Sequence, residues 1–281
     1  MGSAVAVVTD STAHLPPGLA ERHGLDVVPL QIAVGGVMRD EGDVSTAEAA
    51  RALKEWQPVT TSRPAPERFA DAYRAAAGSG ARAIVSVHLS AAMSGTVEAA
   101  RLAAGDAPVP VTVIDSGTIG MGLGFAALSA AATALSGGTA EEVADAAARR
   151  AALTRSLIYV DTLEHLRRGG RIGAAATLLG SALMVKPLLD ITDGRIAPLE
   201  KVRTSSRALA RLEELSIAEA GDRRVDLGVQ HLAAAARADS LAARLRERIP
   251  HVDDVYVGEV GPVAGAHVGP GMLGVVVAPH L

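Results

Sequence analysis

Short apolar runs alternate with longer alanine-rich stretches through the first half of the chain. Ala4–Val8, Val27–Ala33, Ala83–Val87, Val111–Ile114 and Leu157–Val160 have the length and β-branched content of buried strands. Between them the spacing of apolar positions predicts helices near 16–23, 45–55, 66–77, 94–104, 119–136 and 139–153. That alternation predicts an α/β fold with a mostly parallel sheet and flanking helices. Beyond about residue 160 the rhythm changes. A Gly-rich turn at 169–173 precedes a helix, and KPLLDITDGRIAPLEKV reads as a hairpin around Asp193-Gly194, a strong turn dipeptide. Helices at 204–219 and 236–247 then alternate with strands at 224–230, 252–257 and 273–278, as in a smaller α+β domain. The expected division is an N-terminal domain at 1–158 and a C-terminal domain at 159–281.

Composition narrows the function classes. Aromatic residues make up 2% of the chain against 49% hydrophobic residues, so the core must be built from Ala, Val, Leu and Ile. Stacking platforms for bases are nearly absent, and the net charge of −4 comes without a basic stripe; nucleic acid is not an expected partner. There is no cysteine, which excludes disulfides and thiolate chemistry. Eight histidines form neither HExxH nor H-x-H, so no metal site is expected, and no cofactor. MGSAVAVVTDS reads as a first strand rather than a signal peptide, which makes the cytoplasm the expected location. Ser116–Ala140 carries no charge for 25 residues but is mostly Gly, Ala, Ser and Thr. It is expected to be a buried helix, not a transmembrane segment.

Hydroxyl clusters recur where predicted strands end: Thr9-Asp10-Ser11-Thr12, Thr60-Thr61-Ser62, Ser90 with Ser94-Gly95-Thr96, and Asp115-Ser116-Gly117-Thr118. Ligands of open parallel sheets bind beyond the carboxyl ends of the strands, and hydroxyls there suit an anion. Helix capping is the default role of each cluster alone, Ser11 and Ser116 above all. No GxSxG and no P-loop occurs, and Gly120-Met121-Gly122-Leu123-Gly124 lacks the third glycine of a dinucleotide loop. Three uncharged, small-residue segments stand out: 116–140, Ile172–Val185 and GPVAGAHVGPGMLG at 261–274. Such segments build a core or wall a narrow apolar tunnel. Arg171 and His267 then lie at their polar margins, although a solvated arginine and a structural histidine are the defaults. The last segment reads as a glycine loop, its shape held by prolines, that fixes one imidazole.

VTDSTAHLP, TTSRPAPERF, HLSAAMSGTVEAA, VIDSGTIGMGLG, LEHLRRGGRIG, MVKPLLDITDGRI and GPVAGAHVGPGMLG occur in the order seen in the DegV family, which the chain resembles over essentially its whole length. The resemblance implies a two-domain α/β protein that holds a long-chain fatty acid between its domains. It also implies a non-catalytic acyl-binding subunit, which presents the carboxylate to a separate ATP-dependent fatty acid kinase subunit for acyl-phosphate formation. Ligand-binding positions carry over to Thr61 and Ser62 in TTSRP, to Ser94, Gly95 and Thr96 in SGT, to Arg171 in GGRIG and to His267 in HVGPG. Arg203 in KVRTSSRA falls at a position associated with engaging the kinase. Arg63 and Ala65 stand where Gln and Ser are common, and Val97-Glu98 replaces Tyr-Gln, so the rim of the site departs from the family pattern. A chain of ~14 methylenes gains about 0.8 kcal/mol each on burial, while its carboxylate needs hydroxyls, an arginine or a histidine to offset desolvation. Two rival readings are an autonomous serine hydrolase or acyltransferase using Ser94 with His267, and a lipid-sensing regulatory protein.

Overall fold

A computed structural model of the chain describes residues 4–178 and 186–280. In chain order its elements are β1 (Val5–Asp10), α1 (Leu19–Arg22), β2 (Leu25–Val28), β3 (Gln31–Val34), β4 (Val37–Asp40), α2 (Thr46–Lys54), β5 (Val59–Ser62), α3 (Pro66–Gly78), β6 (Ala83–His88), α4 (Thr96–Ala104), β7 (Val111–Asp115), α5 (Met121–Leu135) and α6 (Ala140–Leu153). Then follow β8 (Arg155–Tyr159), α7 (Glu164–Arg168), a 3-10 turn at Gly173–Leu178, β9 (Lys186–Thr192), β10 (Arg195–Val202), α8 (Ser205–Ala220), β11 (Val225–His231), α9 (Ala235–Arg248), β12 (Val252–Glu259), α10 (Pro262–Val268) and β13 (Leu273–Pro279).

The chain forms two compact units. The first contains the residues up to Gln31 with Ser62–Leu153, and the second contains Ile32–Thr61 with Thr154–His280. Residues 32–61, grouped with the N-terminal domain in the sequence reading, therefore group with the C-terminal part. With them the second unit spans more residues than the first.

The first unit is a parallel sheet in the order β2-β1-β6-β7. Phe69, Tyr73, Ile84, Ala99 and Ala100 fill the layer between the sheet and α3/α4. α5 is buried from Met121 to Ala134 on nearly every side, because its Gly and Ala residues let β1, β6 and α6 approach closely. A Cβ on Gly124 would lie 2.9 Å from the Ala13 carbonyl. No helix among the described residues is long and apolar enough to cross a membrane.

The expected strand Val27–Ala33 is broken in two. Pro29 has no amide hydrogen for a ladder, and Leu30 donates its own to Ser11 Oγ at 2.9 Å instead.

The second unit carries a six-stranded sheet, β10-β9-β8-β13-β11-β12, in which only β11 and β12 pair in parallel. Leu157, Leu212, Leu227, Leu245 and Val275 anchor its core against α8 and α9. A three-stranded sheet, β4-β3-β5, accompanies it. The hairpin of β9 and β10 turns at Asp193 and Gly194, both at positive φ (49° and 71°), as a two-residue hairpin loop requires.

Two expectations are corrected. The predicted helix after the 169–173 turn is a 3-10 turn as far as Leu178; the rest of Ile172–Val185 lies outside the described residues. The segment 261–274 is not a glycine loop throughout. Pro262 occupies a first-turn position of α10, where its missing amide hydrogen costs nothing, and Gly265 sits inside the helix against Leu232. Only Gly269 (φ 77) and Gly271 (φ 90) use the left-handed freedom of glycine within it.

Candidate functional site

Two short helices of the second unit build the site. α7 ends at Gly169, and Gly170 (φ 69) turns the chain so that the Arg171 amide returns to the Leu166 carbonyl at 3.0 Å. This turn fixes the start of the Arg171 side chain, whose Nη1 donates to the Gly169 carbonyl at 2.8 Å. α10 carries His267 in its last turn. Its N-terminus is held by the buried Glu41 carboxylate, which accepts the Val263 amide hydrogen at 2.9 Å.

His267 Nε2 lies 2.9 Å from Thr61 Oγ1 at the end of β5. The other side of the ring is closed by Gly169: a Cβ there would lie 2.1 Å from Nδ1. A second histidine repeats the arrangement in reverse. His165 of α7 lies against Gly269 beyond α10, where a Cβ would fall 2.1 Å from Cδ2. The outer face of His165 stacks on Trp56, with ring centroids 5.7 Å apart and an 11° interplanar angle. The Arg168 guanidinium lies 5.2 Å from the Trp56 centroid.

Burial, and after it the nearby Arg171 charge, lower the His267 pKa from 6.5 to about 4. The ring is therefore neutral at pH 7, with one N–H to donate and one nitrogen to accept. His165 is lowered as well, by burial first and then by Arg168, against the pull of Glu164. Neutral imidazole, hydroxyl and permanent cation together are suited to a carboxylate or a similar anion.

The structure thus brings Thr61, Arg171 and His267 together within one unit. Arg203 is exposed between β10 and α8, one residue before Thr204, whose hydroxyl caps α8 by accepting from Arg207 N at 3.3 Å. No hydrogen bond joins Arg203 to the trio among the described residues. Ser62, Ser94, Gly95 and Thr96 belong to the first unit. There Ser94 Oγ and Thr96 Oγ1 are 2.9 Å apart at the start of α4. Ser62 Oγ donates to the Arg63 carbonyl at 3.2 Å. Arg63 lies over Gly95, where a Cβ would be 2.5 Å from Nη1. The loops after β1, β6 and β7 are tied to one another, Ser90 N to Thr118 O at 2.9 Å and Gly120 N to Thr12 O at 2.8 Å. Ser11 Oγ accepts the Leu30 amide hydrogen, 19 residues on, and Ser116 Oγ accepts locally from Thr118 N.

Sequence reasoning passed over His88. Asp10 Oδ2, His88 and Ser86 line up at 3.0 and 2.7 Å, the order of a nucleophile triad. All three are fully buried, and Tyr73 OH also bonds Ser86 Oγ, at 2.9 Å. Burial, partly offset by that bond, raises the Tyr73 pKa to about 12. The chain of bonds is a satisfied core network rather than an accessible nucleophile. The i, i+2 spacing of Ser86 and His88 on one strand face was its only sequence signal. Gly169 was visible only as part of the Gly-rich turn, and Glu41, which caps the helix that carries His267, gave no signal.

The fold defines a two-unit α/β protein in which Thr61, Arg171 and His267 meet in one unit. The sequence model of a family described as uncharacterised protein, DegV family, matches residues 4–280. The chain belongs to the DegV family. It is 58% identical over 279 residues to a DegV domain-containing protein of Streptomyces coelicolor, covering 99% of both chains. A DegV family protein from Thermus thermophilus, studied for fatty acid binding, superposes with a TM-score of 0.93 at 32% identity, covering 98% of this chain and 99% of that one. DegV from Bacillus subtilis, a fatty acid binding protein, gives a TM-score of 0.91 at 31% identity, covering 99% and 100%.

Proposed function

We propose that this protein binds a long-chain fatty acid, with the carboxylate at the site of Thr61, Arg171 and His267, and presents it to a separate ATP-dependent kinase subunit for acyl-phosphate formation. The observation that carries the reading is the Thr61–His267 contact at 2.9 Å beside Arg171. The fatty acid binding of the Thermus and Bacillus proteins supports the ligand class. Ser94 and Thr96 offer hydroxyl donors of the same kind in the first unit. The kinase step rests on the family resemblance, with Arg203 as the docking residue; its exposure suits that role.

Organic extraction of the purified protein followed by mass spectrometry should release about one fatty acid per chain. Protein that yields none, and that fails to bind added palmitate, overturns the reading. Arg203→Ala should bind palmitate as wild type does, yet lose acyl-phosphate formation when mixed with the kinase subunit and ATP. Lost palmitate affinity in that variant would place Arg203 in the ligand site instead.

A further inference from the structure

Which nitrogen of His267 holds the proton follows from what each nitrogen faces. Nε2 faces Thr61 Oγ1, a hydroxyl that can donate or accept. Nδ1 is sealed from solvent and has no hydrogen-bond partner among the described residues. It faces Gly169, where a Cβ would lie 2.1 Å away, so the Cα–H bond that occupies that direction points at the nitrogen. A C–H offers a hydrogen and no lone pair. A bare Nδ1 accepts it as a weak contact. A protonated Nδ1 would push hydrogen against hydrogen and leave a sealed donor unpaired, which is the rarer and costlier orphan.

We infer that Gly169 locks His267 as the Nε2–H tautomer, so that the imidazole donates to Thr61 and the Thr61 hydroxyl hydrogen remains for an anionic ligand. The inference rests on the carboxylate-site reading and divides its roles. Thr61 is the group that touches the ligand. His267 is a positioning residue that acts through it, having no second hydrogen to offer. Arg171, whose Nη1 is held by the Gly169 carbonyl, keeps a positive charge beside the ring and opposes a second proton. Gly169 therefore contributes through both its C–H and its carbonyl, with no side chain involved.

The test is a two-bond nitrogen–proton NMR spectrum of the full chain labelled with 15N in its histidine rings, ligand-free at pH 7. The His267 signal is the one lost in His267→Gln, and independently the one moved in Thr61→Ser, so either variant suffices for assignment. The expected spectrum shows a single Nε2–H tautomer. An Nδ1–H tautomer, a doubly protonated ring or an average of both tautomers overturns the lock. Palmitate carrying a 13C carboxyl supplies the second arm. Thr61→Ser should retain binding, and Thr61→Val should lose about tenfold or more. Wild-type affinity in Thr61→Val overturns donation by Thr61. If the wild-type protein does not bind palmitate at all, the fatty acid reading fails with it, while the histidine spectrum still decides the tautomer.

Discussion

The Glu41 carboxylate accepts the amide hydrogen of Val263 at 2.9 Å, across 222 positions of sequence. Val263 is in the first turn of α10, so a buried acid holds the end of the helix opposite His267. Glu41→Ala should cost about 1–2 kcal/mol, the loss of a helix N-terminal acceptor with a buried amide left unpaired. Thermal denaturation should show Tm lower by about 2–6 °C for a chain of this size. Glu41→Gln keeps an acceptor oxygen and should recover most of the loss. Equal destabilisation in both variants would mean that charge, not the hydrogen bond, fixes α10.

Gly169 and Gly170 make opposite predictions despite being neighbours. Gly169 has φ −75 and ψ −6, which alanine adopts freely, but its Cβ would collide with His267 Nδ1. Gly170 has φ 69 and open space around its Cβ position. Gly169→Ala should therefore displace the imidazole and weaken palmitate binding about tenfold or more, with Tm changed little. Gly170→Ala should cost about 1 kcal/mol of stability from the left-handed backbone and leave palmitate affinity near wild type. Isothermal titration and thermal melts of both variants separate the two effects. Loss of binding in Gly170→Ala alone would contradict the assignment.

The same glycines show where the sequence was legible. Much of the strand and helix alternation up to residue 153 was readable because those elements are set by local apolar spacing, but β4 and β5, short and half polar, carry no such pattern and were missed. The Asp193-Gly194 hairpin was readable because only a few dipeptides fit its turn. The break at Pro29 was visible in the sequence yet outweighed by the apolar run around it. The helix at Pro262–Val268 was hidden because Gly and Pro dominate its composition, while Pro at a first-turn position favours it. The grouping of residues 32–61 with the C-terminal part depends on tertiary contacts such as Glu41 with Val263, which no local pattern encodes. Thr61, Arg171 and His267 were each singled out locally, by a hydroxyl cluster and by the margins of apolar segments, but were joined into one site only by resemblance, since Arg171 and His267 stand 110 and 206 positions from Thr61 and meet it only on folding.

Glu213 clamps α8 to α9. Its oxygens accept from Arg244 Nε at 2.7 Å and Arg248 Nη1 at 2.6 Å, and its side chain is 8% exposed. Burial alone would raise its pKa, but the two guanidinium hydrogen bonds outweigh burial and lower it. A lowered carboxylate pKa stabilises the fold above the unfolded value of about 4.3, and the contribution is lost as pH falls through the folded value. Glu213→Ala should cost about 1–2 kcal/mol at pH 7, less than a fully buried pair, because both arginines stay half-exposed to water. The difference between wild type and variant in urea unfolding should shrink below pH 4. A difference that stays constant to pH 3 would show that packing, not the ion pairs, accounts for it.

Acid destabilisation should begin well above the carboxylate range, because histidines are held neutral in the fold. The ring nitrogens of His14 are sealed from solvent, and burial lowers its pKa from 6.5 to about 4 despite the opposing Asp10 charge. His267 is lowered to the same value, by burial and by Arg171. The unfolded chain binds these protons below pH 6.5, whereas the native chain resists them until about pH 4. Stability should therefore rise with pH through this window and fall as pH drops from 6.5 toward 4. The shift at His14 corresponds to on the order of 3 kcal/mol at the acid end. His14 has φ 47, a left-handed backbone that asparagine tolerates better than other side chains. His14→Asn should accordingly fold, and it should flatten the slope of unfolding free energy against pH between 6.5 and 4, leaving the His267 share. Urea titrations at half-unit pH steps measure that slope directly. An unchanged slope in His14→Asn would mean that His14 titrates alike in the folded and unfolded chain, and the acid sensitivity would then belong to other groups.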